Sequence, residues 1–253
     1  ILVLLLLSFF FMPHFHLDAS TDGAGEGVRE STLERVAGRL LILLTFFLPV
    51  FFIPSALFPF QGGKALFVSL VVIAAFSLWV IARLKDGEFE LPQSPLLPAL
   101  GVLVVLLAFS GFFSGSLSQS FVGQGFEVGT VTNILIFSLL LFLVPTLIRS
   151  KERIFSLYLA FFSAVGLLSL FHLLRFALGP DFLSFGILTD AAANTVGKWN
   201  DLAVFFGASA LLSLITIELI SLSRFFKALM YFLLLVSFFF LAVINFAPVW
   251  FVL

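Results

Sequence analysis

Residues 154–178 read IFSLYLAFFSAVGLLSLFHLLRFAL, twenty-five positions with one charge, Arg175, near the end. An α-helix rises about 1.5 Å per residue, so crossing about 30 Å of hydrocarbon takes about 20 apolar residues. This stretch is long enough to span a bilayer. It has equivalents on both sides: Leu40–Phe60, Lys64–Ala82, Leu96–Phe113, Gly129–Ile148, Asn200–Leu222 and Phe225–Asn245. A β-barrel strand would be about ten residues of alternating polarity. These runs are twice as long and do not alternate, so the expected fold is all-α, a polytopic transmembrane helical bundle of about seven spans.

Composition agrees. Of 253 residues, 61% are hydrophobic and 11% charged, and the mean hydropathy is +1.22. A soluble domain carries about 25% charged residues, so a water-facing surface cannot be covered here. The absence of cysteine excludes disulfides, thiolate metal sites and a Cys nucleophile. A net charge of −1 leaves no basic footprint for nucleic acid. Nothing in the sequence calls for a metal or another cofactor.

Ten of the thirteen Lys and Arg residues fall on one side of the spans: Arg29, Arg35, Arg39, Arg83, Lys85, Arg149, Lys151, Arg153, Arg224 and Lys227. The positive-inside rule then places the N-terminus in the cytoplasm. The tips Gln61–Gly63, Ser114–Val128 and Gly179–Trp199 face outward. Residues 1–39 are expected to be a non-spanning tail and 40–253 the transmembrane domain. Within the tail, Ile1–Phe11 is apolar but too short to span. It reads either as a signal-peptide remnant or as non-native sequence ahead of a start at Met12. Asp18–Arg29 reads as disordered. Ser31 and Glu34 fit a capping box leading into the first span, which Pro49, Pro54 and Pro59 should bend or unwind in its outer half. Val249–Leu253 ends in apolar sequence, which suggests a longer parent chain.

Polar groups inside a membrane are costly, so their depth is informative. Lys64, Asn133, His172, Arg175, Lys198, Asn200, Asp201 and Asn245 all fall at the outer level, and Glu218 alone does not. Each has a plain structural reading. Lys64 and Arg175 can snorkel, Asn200 or Asp201 can cap a helix, and His172 can be a packing residue. Asn133 and Asn245 can bond between helices, Glu218 can pair with Arg224 or Lys227, and Trp79 and Trp199 suit interfacial belts. As a set, Lys64, Arg175, Lys198 and His172 suit an anionic headgroup such as a lipid diphosphate, with Asn200, Asp201 and Asn133 in support.

Four stretches carry a resemblance: Phe58–Phe60 followed by Lys64–Leu66, Leu91–Leu96, Ser114–Gly123, and Gly197-Lys198-Trp199-Asn200-Asp201-Leu202-Ala203. They resemble the bacterial O-antigen ligase and polymerase-like membrane proteins over roughly residues 40–253. The last looks like the family's Gly-x-x-Asn-x-x-Ala segment, and Lys64 matches its basic position at the second span. Lys198 stands where many relatives are neutral, and Phe246-Ala247-Pro248 departs from the family's Ser-Arg-Gly. The resemblance implies a cell-envelope glycosyltransferase in the inner membrane of a bacterium. It would move glycan from undecaprenyl diphosphate to an acceptor outside the cytoplasmic membrane, without cofactor or metal. The family's catalytic histidine would lie beyond Leu253, so the catalytic residues are unknown and this stretch alone is expected to be inactive. A transporter or flippase, or a non-catalytic membrane scaffold, are the competing readings.

Overall fold

The computed structural model describes residues 31–54, 60–87, 96–123, 129–219 and 222–253. The tail with Ile1–Phe11, Met12 and Asp18–Arg29 lies outside them, as do Phe58, Pro59, Leu91–Pro95 and Phe126. Every regular element among the described residues is a helix: α1 (Thr32–Val50), α2 (Phe60–Asp86), α3 (Leu96–Phe112), α4 (Leu117–Phe121), α5 (Val131–Leu147), α6 (Lys151–Leu178), α7 (Trp199–Leu219), α8 (Arg224–Ile244) and α9 (Ala247–Trp250).

Four helices, α2, α6, α7 and α8, are long and apolar enough to cross a membrane. At 27, 28, 21 and 21 residues they run about 32–42 Å. The 17-residue α3 and α5 reach about 26 Å. Large apolar side chains stay outside the core all along these helices: Leu70 is 61% exposed, Val105 66% and Leu235 67%. Water would reject so continuous an apolar exterior, whereas lipid accepts it. The make-up is that of a multi-pass membrane protein.

The chain divides into two compact units. One comprises residues up to Leu41 with Val68–Ile154, the other Ile42–Phe67 with Phe155–Leu253. The tail boundary expected at residue 39 falls inside α1.

In the first unit, α3 packs against α5, and α4 touches both. Ser31 Oγ accepts from the Glu34 amide, the first half of the expected capping box. The Glu34 carboxylate does not complete the box. It forms a buried ion pair with Arg83 of α2, because a buried guanidinium needs a countercharge more than one backbone amide needs an acceptor. Trp79 packs inside this unit. It is 4% exposed and meets the Phe142 ring edge-on at 5.0 Å.

In the second unit, α7 packs along α8. Phe206 stacks on Phe240 at 4.4 Å and 8°. One turn away on both helices, Ser237 Oγ donates to Ser209 Oγ at 3.0 Å. Such a bond joins helices in apolar surroundings, where hydrophobic driving force is weak. The short α9 lies on α7 where Gly207 leaves room; a Cβ there would overlap Val249.

Helix ends also depart from expectation. Helix α1 stops at Val50 and Phe51–Pro54 are non-helical, as the prolines suggest. Gln61–Gly63 are not a hairpin tip but the first turn of α2, with Gly63 3.1 Å (from its ideal Cβ) to Ile53. Asn245 is exposed and ends α8 in the left-handed region at φ +51°, its amide donating to Leu241 O. Asn tolerates that conformation better than most residues, so it acts as a cap rather than an interhelical bridge. Glu218 is exposed and forms no ion pair among the described residues.

Removing one partner of the Glu34–Arg83 pair leaves a buried charge, at a cost of about 3–5 kcal/mol. Arg83→Ala should therefore lower the unfolding temperature in detergent sharply. Glu34→Met with Arg83→Leu should recover most of the loss. Equal loss in the single and double variants would contradict the pairing.

Candidate functional site

The second unit holds every expected site residue except Asn133. Two cations organise it, and both work on backbone carbonyls.

Helix α1 ends at Val50, which leaves its last carbonyls without intrahelical donors. Lys64, in the first turns of α2, meets them. Its Nζ donates to Leu48 O at 2.9 Å and reaches Pro49 O at 3.5 Å. The same ammonium donates to Val196 O at 3.0 Å, in the segment leading into α7. A cation at a helix C-terminus is also favoured by the helix dipole. Lys64 is half-buried, so it does not simply snorkel.

Arg175 sits in the last turn of α6 and is 4% exposed. Nη1 donates to Ala193 O at 2.5 Å, and Nη2 to Pro180 O, Leu188 O and Asp190 O at 2.9, 2.6 and 2.9 Å. One planar fork thus gathers four carbonyls of the irregular segment 179–198. That segment turns through three residues at positive φ, Leu183, Phe185 and Gly186, and leaves α6 through Gly179 at φ +99°. A backbone so irregular satisfies only some of its own carbonyls, and a buried one left unmet is costly. Phe171 lies under the guanidinium at 5.5 Å. Asp190 and Asp181 act on it electrostatically.

The two clamps meet on one short stretch. Ala193 and Val196 are three residues apart, so their Cα atoms are at most about 11 Å apart. Between them, Asn194 is 2% exposed; its Oδ1 accepts from the Val196 and Gly197 amides at 3.0 and 2.9 Å. Thr195 is buried, and its hydroxyl has no partner among the described residues. Asn194 stands out in the sequence as a polar residue of this outer connection, but neither it nor Thr195 is among the expected site residues. An Asn in a Gly-containing connection is the signal for a side-chain-closed turn, and it was available.

Asp201 takes a capping role. Its Oδ2 accepts from the Lys198 amide at 2.8 Å, the acidic third residue of α7 reaching back to the N-cap. Gly197 is required here: a Cβ on it would lie 2.6 Å from Asp201 Oδ2. The carboxylate also acts on the Lys64 ammonium. Lys198 and Asn200 are exposed, and their side chains make no hydrogen bond among the described residues. Lys198 is thus the cation of this group that solvent or a ligand meets directly.

His172 is 1% exposed, and its Nε2 has no partner among the described residues. Its ring packs edge-on to Phe171 at 5.2 Å and Phe240 at 5.9 Å. It shares a helix face with Arg175, inside the aromatic core. Asn133 belongs to the first unit, where Nδ2 donates to Thr130 Oγ1 at 3.2 Å next to the cap of α5. Among the described residues, no group of three or more His, Asp or Glu is placed to hold a metal ion.

Lys64→Met should expose the Leu48 and Val196 carbonyls and destabilise the fold by about 1–3 kcal/mol, read as a lower unfolding temperature in detergent. Gly197→Ala should cost about 1 kcal/mol by displacing the Asp201 cap. Lys198→Gln should change stability little. A Lys198→Gln variant as unstable as Lys64→Met would contradict the division between clamping and exposed cations.

No protein-family model, curated protein or solved structure matches this chain.

Proposed function

We propose that the chain is part of a seven-span O-antigen ligase-like glycan transferase of the bacterial inner membrane, with its N-terminus in the cytoplasm. Its substrate would be a glycan on undecaprenyl diphosphate, received on the outer side and passed to a glycan acceptor. The observation that carries the reading is the 179–198 segment. It is tied to both Lys64 and Arg175 and presents Lys198 outward at the start of α7. A lipid diphosphate arriving at that level would meet Lys198 first and Asn200 beside it. Lys64, Arg175 and His172 would form the base of the site. Asp201 supports it by fixing the helix start. Basic groups of this kind stabilise a diphosphate as leaving group.

A transporter is the second reading, and one observation favours it. Ser209, Ser213 and Thr216 recur on one face of α7 and are buried, as is Ser237 of α8. Polar groups along the interior of a membrane helix pair are what a conduction path requires. Ser209 and Ser237 bond to one another, which equally suits plain helix packing.

Binding of undecaprenyl diphosphate to the purified full chain in detergent separates the readings. Losing one charge-assisted contact costs about 1.5–3 kcal/mol, so Lys198→Gln should weaken binding roughly ten- to a hundred-fold. No saturable binding, or binding indifferent to Lys198→Gln in a normally folded variant, would overturn the transferase reading and bring the transporter forward.

A further inference from the structure

Helix ends converge at one end of the first unit. The Glu34–Arg83 ion pair ties the start of α1 to the end of α2. One turn further along α1, Gly38 admits the Arg153 guanidinium so closely that a Cβ there would lie 3.2 Å from Nη1. Arg153 in turn donates to Leu147 O at the end of α5. The start of α6 therefore adjoins α1 and α5.

Arg83 and Arg153 make these contacts and turn inward. Arg39, Lys85 and Lys151 of this end are exposed, and the exposed acids beside them among the described residues are Asp86 and Glu152. The surface is not purely charged. Val36, 39% exposed, lies between Arg35 and Arg39, and Leu84, 66% exposed, precedes Lys85.

We infer that this end is a cationic collar that selects anionic phospholipid headgroups over zwitterionic ones. Two features identify the partner. The collar flanks α2 and α6, which are long and apolar enough to cross a bilayer, so lipid phosphates lie at its level. Its cations also alternate with exposed apolar side chains. A water-borne polyanion such as RNA would meet the charges but leave Val36 and Leu84 in water; a lipid supplies phosphate for the first and acyl chain for the second. The attraction acts over about one Debye length, roughly 8 Å at physiological salt, so it is sensitive to ionic strength.

Spin-labelled phosphatidylglycerol and phosphatidylcholine, added to the full chain reconstituted in phosphatidylcholine bilayers, test this by electron spin resonance. The wild type should hold the anionic label at least about threefold more strongly at low salt, with the preference collapsing in 1 M NaCl, where the Debye length is about 3 Å. R39Q/K85Q/K151Q should abolish the preference, and the charge-preserving R39K/K85R/K151R should keep it. The salt series on the wild type decides the matter even where the neutralised variant folds poorly. Equal association of the two labels, a preference that survives 1 M NaCl, or one that persists in a folded R39Q/K85Q/K151Q protein would overturn the inference. So would an RNA oligonucleotide that displaces the anionic lipid.

Discussion

A carbonyl without a donor is the constraint around which the second unit is built. Wherever an apolar helix stops, its last carbonyls need partners, and an irregular connection adds more. Here two cations supply them. Lys64 takes Leu48 O and Val196 O; Arg175 takes Pro180 O, Leu188 O, Asp190 O and Ala193 O. Only a planar fork with several donors can serve four acceptors at once, which is why arginine rather than lysine suits the end of α6. The start of α7 follows from the same arrangement. Once residues 193–196 are held, Asn194 closes the turn, Gly197 clears space, and Asp201 caps the helix.

This gives the basic residues two distinct duties. Lys64 and Arg175 are committed to backbone, with Asp201, Asp181 and Asp190 acting on them. A ligand anion at this level would find Lys198 and Asn200 exposed and the other cations as a fixed electrostatic base. The proposed diphosphate site therefore depends on loop architecture before it depends on any single charge. The first unit distributes its cations in a parallel way: Arg83 and Arg153 hold helices together, while Arg39, Lys85 and Lys151 face outward.

Length and apolarity made the helices legible in the sequence, because nothing but helices or closed barrels satisfies its backbone in lipid. The spans from Leu96 and Ile154 to Phe225 match observed helices within a few residues. Local chemistry was readable where it is short-range: Ser31 caps α1, and an acid of the Asn200–Asp201 pair caps α7. Long-range partners were not. The choice of Arg83 over Ser31 by the Glu34 carboxylate, the burial of Trp79, and the grip of Arg175 on a distant loop depend on packing, which spacing does not encode. Asn245 was misjudged for a simpler reason. A polar residue near a helix end looks the same in sequence whether it bridges helices or adopts the left-handed cap.

Amide hydrogen exchange across Phe182–Gly197, compared between the wild-type full chain in detergent and Arg175→Gln, tests the central claim most directly. In the wild type the amides of Leu188, Ala193, Val196 and Gly197, each bonded within the clamped segment, should be protected. In the variant they should exchange faster together, while the α7–α8 amides around Ser209 and Ser237 stay protected. Unchanged protection from Leu188 to Gly197 would show that the segment holds itself, and the account built on Arg175 would fail.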